Sequence, residues 1–223
     1  MGRNRAERPW PRSFSRSLGG RAARLGERLG IDWLTYNPLY FRDIHGRALS
    51  DAPAVMRAFA THFPDAERLI DVGAGSGAFA AEAQRRGKTV VACEHSATGR
   101  RAAARQGVRC YPLDLERDPP LEIDGRFDLA YCFEVAEHVP EPLGARLVDL
   151  LCERAPRVVF TAAPPGQGGT GHVNEQPQSY WIERFQAAGL EHRGELSAAL
   201  AESFRGEGVR ALYLADNVMV FAD

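Results

Sequence analysis

Read as a string of apolar and polar positions, the chain changes character near residue 68. From there, short apolar runs of strand length alternate with stretches of helical period, and glycine or proline punctuates the joins. The pattern predicts strands over 68–72, 89–93, 108–111, 127–133 and 157–162. It predicts helices from the end of the first turn to Gly87, then over 96–106, 141–153 and 179–188, with Gly107 and Gly189 as stops. The third of these helices puts Leu143, Leu147, Leu150 and Leu151 on one face. Further on come an apolar stretch around Leu190, a helix over 198–204, and strands near 211–214 and 217–221.

Strands alternating with helices imply an α/β domain whose parallel sheet is covered on both faces. Crossovers of that kind are right-handed, so ligands collect at the carboxyl ends of the strands. Upstream the pattern is weaker, and no internal repeat is visible. Residues 21–29 fit a short amphipathic helix. The stretch "IDWLTYNPLYFRD" (31–43) is aromatic and broken by Pro38. Residues 51–63 fit a helix with Ser50 as N-cap and Pro53 in the first turn. Three parts follow: a basic arm of disordered character (1–30), a helical and aromatic cap (31–64) and the α/β domain (65–223).

Charge sharpens the division. Residues 1–30 carry eight arginines against Glu7 and Glu27, a net of +6, which leaves −7 for the rest of a chain whose total is −1. Such an arm suits nucleic acid or acidic lipid. Yet the chain holds a single lysine, Lys88, among its 28 basic residues, so the arginines follow a bias that runs through the whole sequence. No apolar run approaches the roughly 20 residues of a membrane helix, and the N-terminus has no apolar core of a secretory signal. Cys93, Cys110, Cys132 and Cys152 stand far apart, with no C-x-x-C pair, and a reducing cytoplasm suits them.

The chemistry gathers at the predicted strand ends. "LIDVGAGSGAFAAEAQRRG" (69–87) turns from strand to helix through Gly73, Gly75 and Gly77, a G-x-G-x-G that also reads, with Ala78, as G-x-G-x-x-A. The turn alone leaves open a dinucleotide or a different adenosine cofactor. Asp71 stands just before it, where a carboxylate repels a pyrophosphate but suits an ammonium. Glu94 ends the second strand, 19 residues after Gly75, placed to accept from both ribose hydroxyls. Asp114 follows the third strand, where it can accept from an adenine amine while Leu115 packs on the ring.

With "DVGAGSG" (71–77), "CEHS" (93–96), "PLDLE" (112–116) and above all "FDLAYCFEVAEHV" (127–139), the chain resembles the class I S-adenosylmethionine-dependent methyltransferases, in their broad small-molecule group. The likeness covers about residues 65–223. It implies a Rossmann-like fold with a seven-stranded, mostly parallel sheet, helices on both faces and an antiparallel last strand, for which "DNVMVFAD" is suited. It implies S-adenosylmethionine as cofactor and S-adenosylhomocysteine as product. It assigns Asp71, Gly73, Gly75 and Gly77 to the methionine end, Glu94 with neighbouring His95 to the ribose, Asp114 and Leu115 to the adenine, and Phe133 and Glu134 to the sulfonium side.

Methyl transfer needs an acceptor atom held in line with the S–CH3 bond, and a hydroxyl acceptor gains from a nearby base. Two histidines suit that role. His138 follows the fourth strand in "EVAEHVP", and His172 lies in "GQGGTGHVNEQPQSYW", a glycine-rich stretch with the composition of a binding loop or lid. His172 is the expected catalytic residue and His138 the second candidate. Tyr36, Tyr40, Asn174, Tyr180 and Trp181 are the expected walls of the acceptor site. His172 and Glu175 find no third or fourth donor, so no metal is expected.

A cytoplasmic enzyme methylating a small molecule, at oxygen in a biosynthetic or secondary-metabolite pathway, is the expected function. An RNA methyltransferase using the basic arm is the rival, disfavoured by the −7 elsewhere. A cofactor-binding regulator without turnover is the other alternative. The sequence names neither the acceptor nor the oligomeric state. Deleting residues 1–20 should leave S-adenosylhomocysteine affinity unchanged by calorimetry. If the full chain retards RNA at low salt and the truncated chain does not, the arm belongs to nucleic acid.

Overall fold

The computed structural model describes residues 38–223 except 124, together with Leu25, and only the backbone of residues 38 and 40–44. The arm, the helix expected over 21–29 (Leu25, described as helical, aside) and Tyr36 therefore lie outside the described residues. The elements are α1 (Pro38–His62), β1 (Arg68–Val72), α2 (Ala78–Arg85), β2 (Thr89–Glu94), α3 (Ala97–Arg105), β3 (Cys110–Pro112), β4 (Leu129–Phe133), a 3-10 turn (Ala136–His138), α4 (Glu141–Arg154), β5 (Arg157–Thr161), α5 (Gln178–Ala187), β6 (Glu191–His192), α6 (Gly194–Gly206), α7 (Leu212–Asn217) and β7 (Met219–Ala222).

The seven strands form one sheet in the order β3-β2-β1-β4-β5-β7-β6. Strands β1 to β5 are parallel, and β7 runs antiparallel to both β5 and β6. The order reverses between β1 and β4, and it is at such a switch point that a crevice opens above the carboxyl ends. The crossover from β3 to β4 carries no helix among the described residues; Leu113, Leu115, Leu121 and Phe127 cover the sheet there as side chains of coil.

Alternation along the strands sorts the core into two layers. Ile70, Val72, Ala130, Cys132, Val158 and Phe160 face α4 and α5, meeting Leu147, Leu151, Trp181 and Phe185. Leu69, Leu129, Tyr131, Val159 and Val220 face the opposite way and meet Val55 and Phe59 of α1, Phe63 just after it, and Leu200 and Phe204 of α6. The second half of α1 is thus a layer of the sheet domain, and a boundary at 64/65 would cut through one core. Phe59 shows this best, since its ring lies 5.6 Å edge-on to Tyr131 of β4 and 6.5 Å from Phe204.

Two local expectations fail for non-local reasons. The helix expected from residue 51 begins at Pro38, a residue suited to a first turn, and runs through Ser50 with Pro53 inside it. Ser50 caps nothing; its Oγ donates to Asp51 Oδ1 at 3.1 Å. Of residues 211–214, expected as strand, Leu212 to Leu214 begin α7 instead. The buried Asp51 carboxylate accepts from Arg210 N and Ala211 N, both at 3.0 Å, and so fixes the segment that leads into α7 from 160 residues away. Asp51→Ala should therefore cost on the order of 2 kcal/mol in urea unfolding, with Asp51→Asn recovering part of it. Equal stability of wild type and Asp51→Ala would remove this strut from the account.

Candidate functional site

Above the switch point, the turn between β1 and α2 holds its shape through backbone bonds. Gly73 N and Ala74 N both donate to Cys93 O, at 2.9 and 3.0 Å, and Gly77 N to Ala74 O at 2.8 Å. Gly73 and Gly77 take φ of 80° and 75°, which other residues adopt only with strain. Each also presses on protein: a Cβ at Gly73 would collide with Val135, and one at Gly77 would fall 2.8 Å from Ala103 Cβ. Close packing thus requires both glycines before any ligand is considered. Gly75, between them, turns its N–H to Glu94 Oε2 at 3.0 Å.

Glu94 closes β2 as expected. Its other oxygen accepts from Ser96 N at 2.6 Å, and Ser96 in turn caps α3. Burial pushes the Glu94 carboxyl up, while the N–H groups of Ser96 and Gly75 pull it back. Asp71 lies deeper, 3% exposed beneath the turn. Burial drives its pKa to about 8, against the pull of the Tyr131 hydroxyl, and its Oδ2 has no hydrogen-bond partner. A buried, half-satisfied carboxylate under three left-handed glycines fits a ligand that brings a cation to this edge. His95 is exposed and bonds Leu113 O through Nδ1 at 3.1 Å, tying the ends of β2 and β3 together. Asp114, half-buried, accepts from Glu116 N at 3.1 Å in a local turn. Leu115 does not stand ready for an adenine ring: it is 6% exposed and belongs to the core.

The other half of the site grows from the end of β4. Phe133 packs at 5.3 Å from Phe79 and 6.2 Å from Phe59, on the α1 side. Glu134 adopts φ 53°, the sole non-glycine with positive φ among the described residues, a strain of about 1–3 kcal/mol of the kind stored at functional sites. Its N–H donates to Thr161 O and Oγ1, both at 3.0 Å. Its carboxylate accepts from Asn217 Nδ2 at 3.1 Å and Gln167 Nε2 at 3.0 Å, and Asn217 also donates to Gln167 Oε1 at 2.9 Å. That closed triangle joins the end of β4, the loop after β5 and the end of α7. Burial raises the Glu134 carboxyl; Asn217, Gln167 and Thr161 oppose the rise.

The glycine-rich loop after β5 is stitched down rather than loose. Val173 N and Asn174 N donate to Glu137 O at 2.8 and 3.1 Å, and Asn174 Nδ2 to Ala136 O at 3.3 Å. Glu175 gathers the loop by accepting from Gly166 N, Gly168 N and the His172 ring, at 2.8, 2.7 and 2.8 Å. His172 Nδ1 thus rests on Glu175, and its ring meets that of His138 edge-on at 4.8 Å. His138 Nδ1 faces Gly171 O at 3.2 Å. Burial first, and the charge of His172 second, lower the His138 pKa to about 4, so it is neutral near pH 7.

Both expected histidines therefore come together at the carboxyl edge, and the two halves touch where Gly73 abuts Val135. The expected walls fare less well. Trp181 is fully buried against Phe160 at 5.3 Å; its size and position on α5 commit it to the core. Asn174 is 5% exposed and spends its amide on pinning the loop, accepting also from Gln176. Tyr180 directs its hydroxyl to Glu141 Oε1 at 3.1 Å, toward α4. Tyr40 lies in α1, and its side chain is outside the described set. The expectation that His172 would find no further donors also fails. One ligand atom each from Glu137, His138 and His172 lie within 4.8 Å of one another.

Several contributors carry no local sequence signal. Gln167 and Asn217 are ordinary amides, distant in sequence from Glu134. His45 of α1 reaches the turn, its Nδ1 2.7 Å from Ser76 Oγ and its Nε2 3.3 Å from Gln106 Nε2. Tyr213 is pushed up to about 12 by burial and by the charge of Glu134.

Residues 41–161, over half of the chain, match a family model described as a methyltransferase domain. A ubiquinone biosynthesis O-methyltransferase of Psychrobacter cryohalolentis is 27% identical over 121 residues, 51% of this chain and 44% of that protein. Its counterpart in Psychrobacter arcticus matches equally. The chain spans less than half the length of these curated relatives. Among solved structures, the sugar N-methyltransferase KedS8 of a Streptoalloteichus species superposes with a TM-score of 0.60 at 16% identity, over 82% of this chain and 91% of that one. CalS10, an amino pentose methyltransferase of Micromonospora echinaspora solved with S-adenosylmethionine, gives 0.58 at 17%, over 82% and 96%. At these identities the likeness is one of fold.

Asp71 supplies a test by pH. Its folded pKa stands above its unfolded value, so the unfolded chain releases a proton that the folded chain keeps. Stability without ligand should then decline as pH rises from about 4 to about 8. Asp71→Asn should remove that part of the slope, on the order of a few kcal/mol, in denaturant titrations across the range. Parallel pH profiles for the two proteins would show that Asp71 ionises freely.

Proposed function

We propose, for a chain that belongs to the methyltransferase-domain family, that it transfers a methyl group from S-adenosylmethionine, the family's donor, to an oxygen atom of a small-molecule acceptor in a biosynthetic pathway. The observation that carries the reading is the Glu94 carboxylate, fixed by Gly75 N–H and Ser96 N–H at the lip of a left-handed glycine turn. A carboxylate so placed can accept from the paired hydroxyls of a ribose. Asp71 beneath the turn favours a cationic group above it, which a pyrophosphate lacks.

The cofactor supplies an activated methyl on a cationic sulfur, so the protein's work is positioning. An acceptor oxygen forms the new C–O bond with its own electron pair while the S–C pair returns to sulfur. Glu134, held by Asn217 and Gln167, lends negative potential on the sulfonium side. His172, oriented through Nδ1 by Glu175, is the group that handles the hydroxyl proton, and neutral His138 packs edge-on against it. Oxygen as the accepting atom is supported by this buried imidazole pair and by the O-methyltransferases among the relatives.

Glu94→Ala should weaken S-adenosylhomocysteine binding by about 1.5–3 kcal/mol in calorimetry. His172→Ala should leave that affinity nearly unchanged and lower turnover on a hydroxyl acceptor by about 10²–10⁴. Tight NADH binding with no response to S-adenosylhomocysteine would overturn the assignment.

A further inference from the structure

We propose that His45 of α1, set by Gln106, is a positioning residue for the cofactor: it turns the Ser76 hydroxyl outward as a donor to the carboxylate of the cofactor's methionine end. The inference rests on the methyl-transfer reading and names residues that neither glycine spacing nor strand ends single out. α1 packs against α2, which follows the glycine turn, and against α3. From α1 the half-buried His45 reaches two segments at once. Its Nδ1 lies 2.7 Å from Oγ of Ser76, inside the turn, and its Nε2 lies 3.3 Å from Nε2 of Gln106, which closes α3.

The direction of these bonds follows from which atoms can give a proton. Gln106 presents its amide nitrogen, which donates and never accepts, so His45 Nε2 is the acceptor. Burial lowers the His45 pKa, so near pH 7 the ring is neutral and holds its one N–H on Nδ1. Nδ1 therefore donates to Ser76 Oγ, and the Ser76 hydroxyl keeps its own proton to give. Ser76 is 4% exposed, and among the described residues its side chain makes no other hydrogen bond; it does not cap α2. A buried hydroxyl proton without an acceptor is costly, and a ligand seated over the turn can supply one.

Position decides what that proton is for. Ser76 stands between Gly75 and Gly77, in the turn whose buried Asp71 suits an ammonium. The methionine end of the cofactor carries a carboxylate beside its ammonium, and the acids Asp71 and Glu94 can only repel it. A hydroxyl that donates answers a carboxylate; one that had spent its proton on His45 would show it lone pairs alone. The turn and α3 keep a fixed spacing because Gly77 abuts Ala103, one helical turn before Gln106. The tautomer of His45 thus decides which face Ser76 presents, and the ring acts only through that hydroxyl.

The test uses the full chain and begins without ligand. Nitrogen-15 spectra of the labelled histidines, with His45 assigned by its loss in His45→Phe, should show it in the Nδ1–H form; the Nε2–H form overturns the proposal. Calorimetry then compares S-adenosylhomocysteine with methylthioadenosine, which keeps the adenosine and the sulfur but has no carboxylate. Ser76→Ala and His45→Phe should each weaken S-adenosylhomocysteine by about 10–100-fold and leave methylthioadenosine almost unchanged. The double variant should be no weaker than Ser76→Ala, because the two act as one unit. His45→Asn, whose amide N–H replaces Nδ1–H, should recover part of the loss. Retained methylthioadenosine binding shows that the turn is folded in each variant. Equal losses for both ligands, or additive losses in the double variant, make His45 a packing residue and overturn the proposal. Variants that bind S-adenosylhomocysteine as the wild type does overturn it alone. A wild type that binds no S-adenosylhomocysteine sinks the methyl-transfer reading, and this inference with it.

Discussion

The cost of taking carboxylates out of water governs this molecule. Asp71, Glu94, Glu134 and Glu137 all sit at the carboxyl edge of the sheet, and burial raises the pKa of each. The sheet cannot relieve that cost itself, because its strands are buried on both faces. Each acid is therefore answered differently: Glu94 by two backbone N–H groups, Glu134 by two side-chain amides, Asp71 only partly by Tyr131, and Glu137 by no side chain, only by the pull of backbone at Glu137 and Ala163. What remains unanswered in the protein is what a ligand must bring.

The scaffold that keeps these acids in place is held by long-range polar struts as much as by apolar burial. Asp51 fastens α1 to the start of α7, and the end of α7 then delivers Asn217 to Glu134. Glu175 and the Glu137 carbonyl fasten the loop after β5 to the turn after β4. A loop with this many anchors presents His172 in one arrangement, which suits positioning better than it suits a gate.

How much of this was legible in the sequence follows from how local each cause is. The β1 turn, Glu94 and the places of β1 to β5 were readable because glycine spacing, strand length and alternation are properties of neighbouring residues. His138 and His172 were readable as candidates because they lie just after strands. Their partner Glu137 stood in plain view within "EVAEHV", but nothing in spacing told a buried acid from a solvated one. Trp181, Leu115 and Asn174 were misassigned for a common reason: an aromatic, an aliphatic or an amide near a strand end serves a pocket wall or a core equally well until packing decides. The bonds from Asp51 to the lead-in of α7 and the Glu134–Gln167–Asn217 triangle were illegible, since each joins segments that no local pattern connects.

The triangle also sets an order of events in time. Glu134 and Gln167 are made well before Asn217, and β7, which follows α7, must slot between β5 and β6. A growing chain that has passed residue 167 but not reached 217 owns its glycine turn and Glu94, while Glu134 lacks one of its two amides. During synthesis the two halves of the crevice are therefore finished at different moments. The residues of the β1 turn and Glu94 are synthesised first, and the last member of the Glu134 triangle comes only near the end.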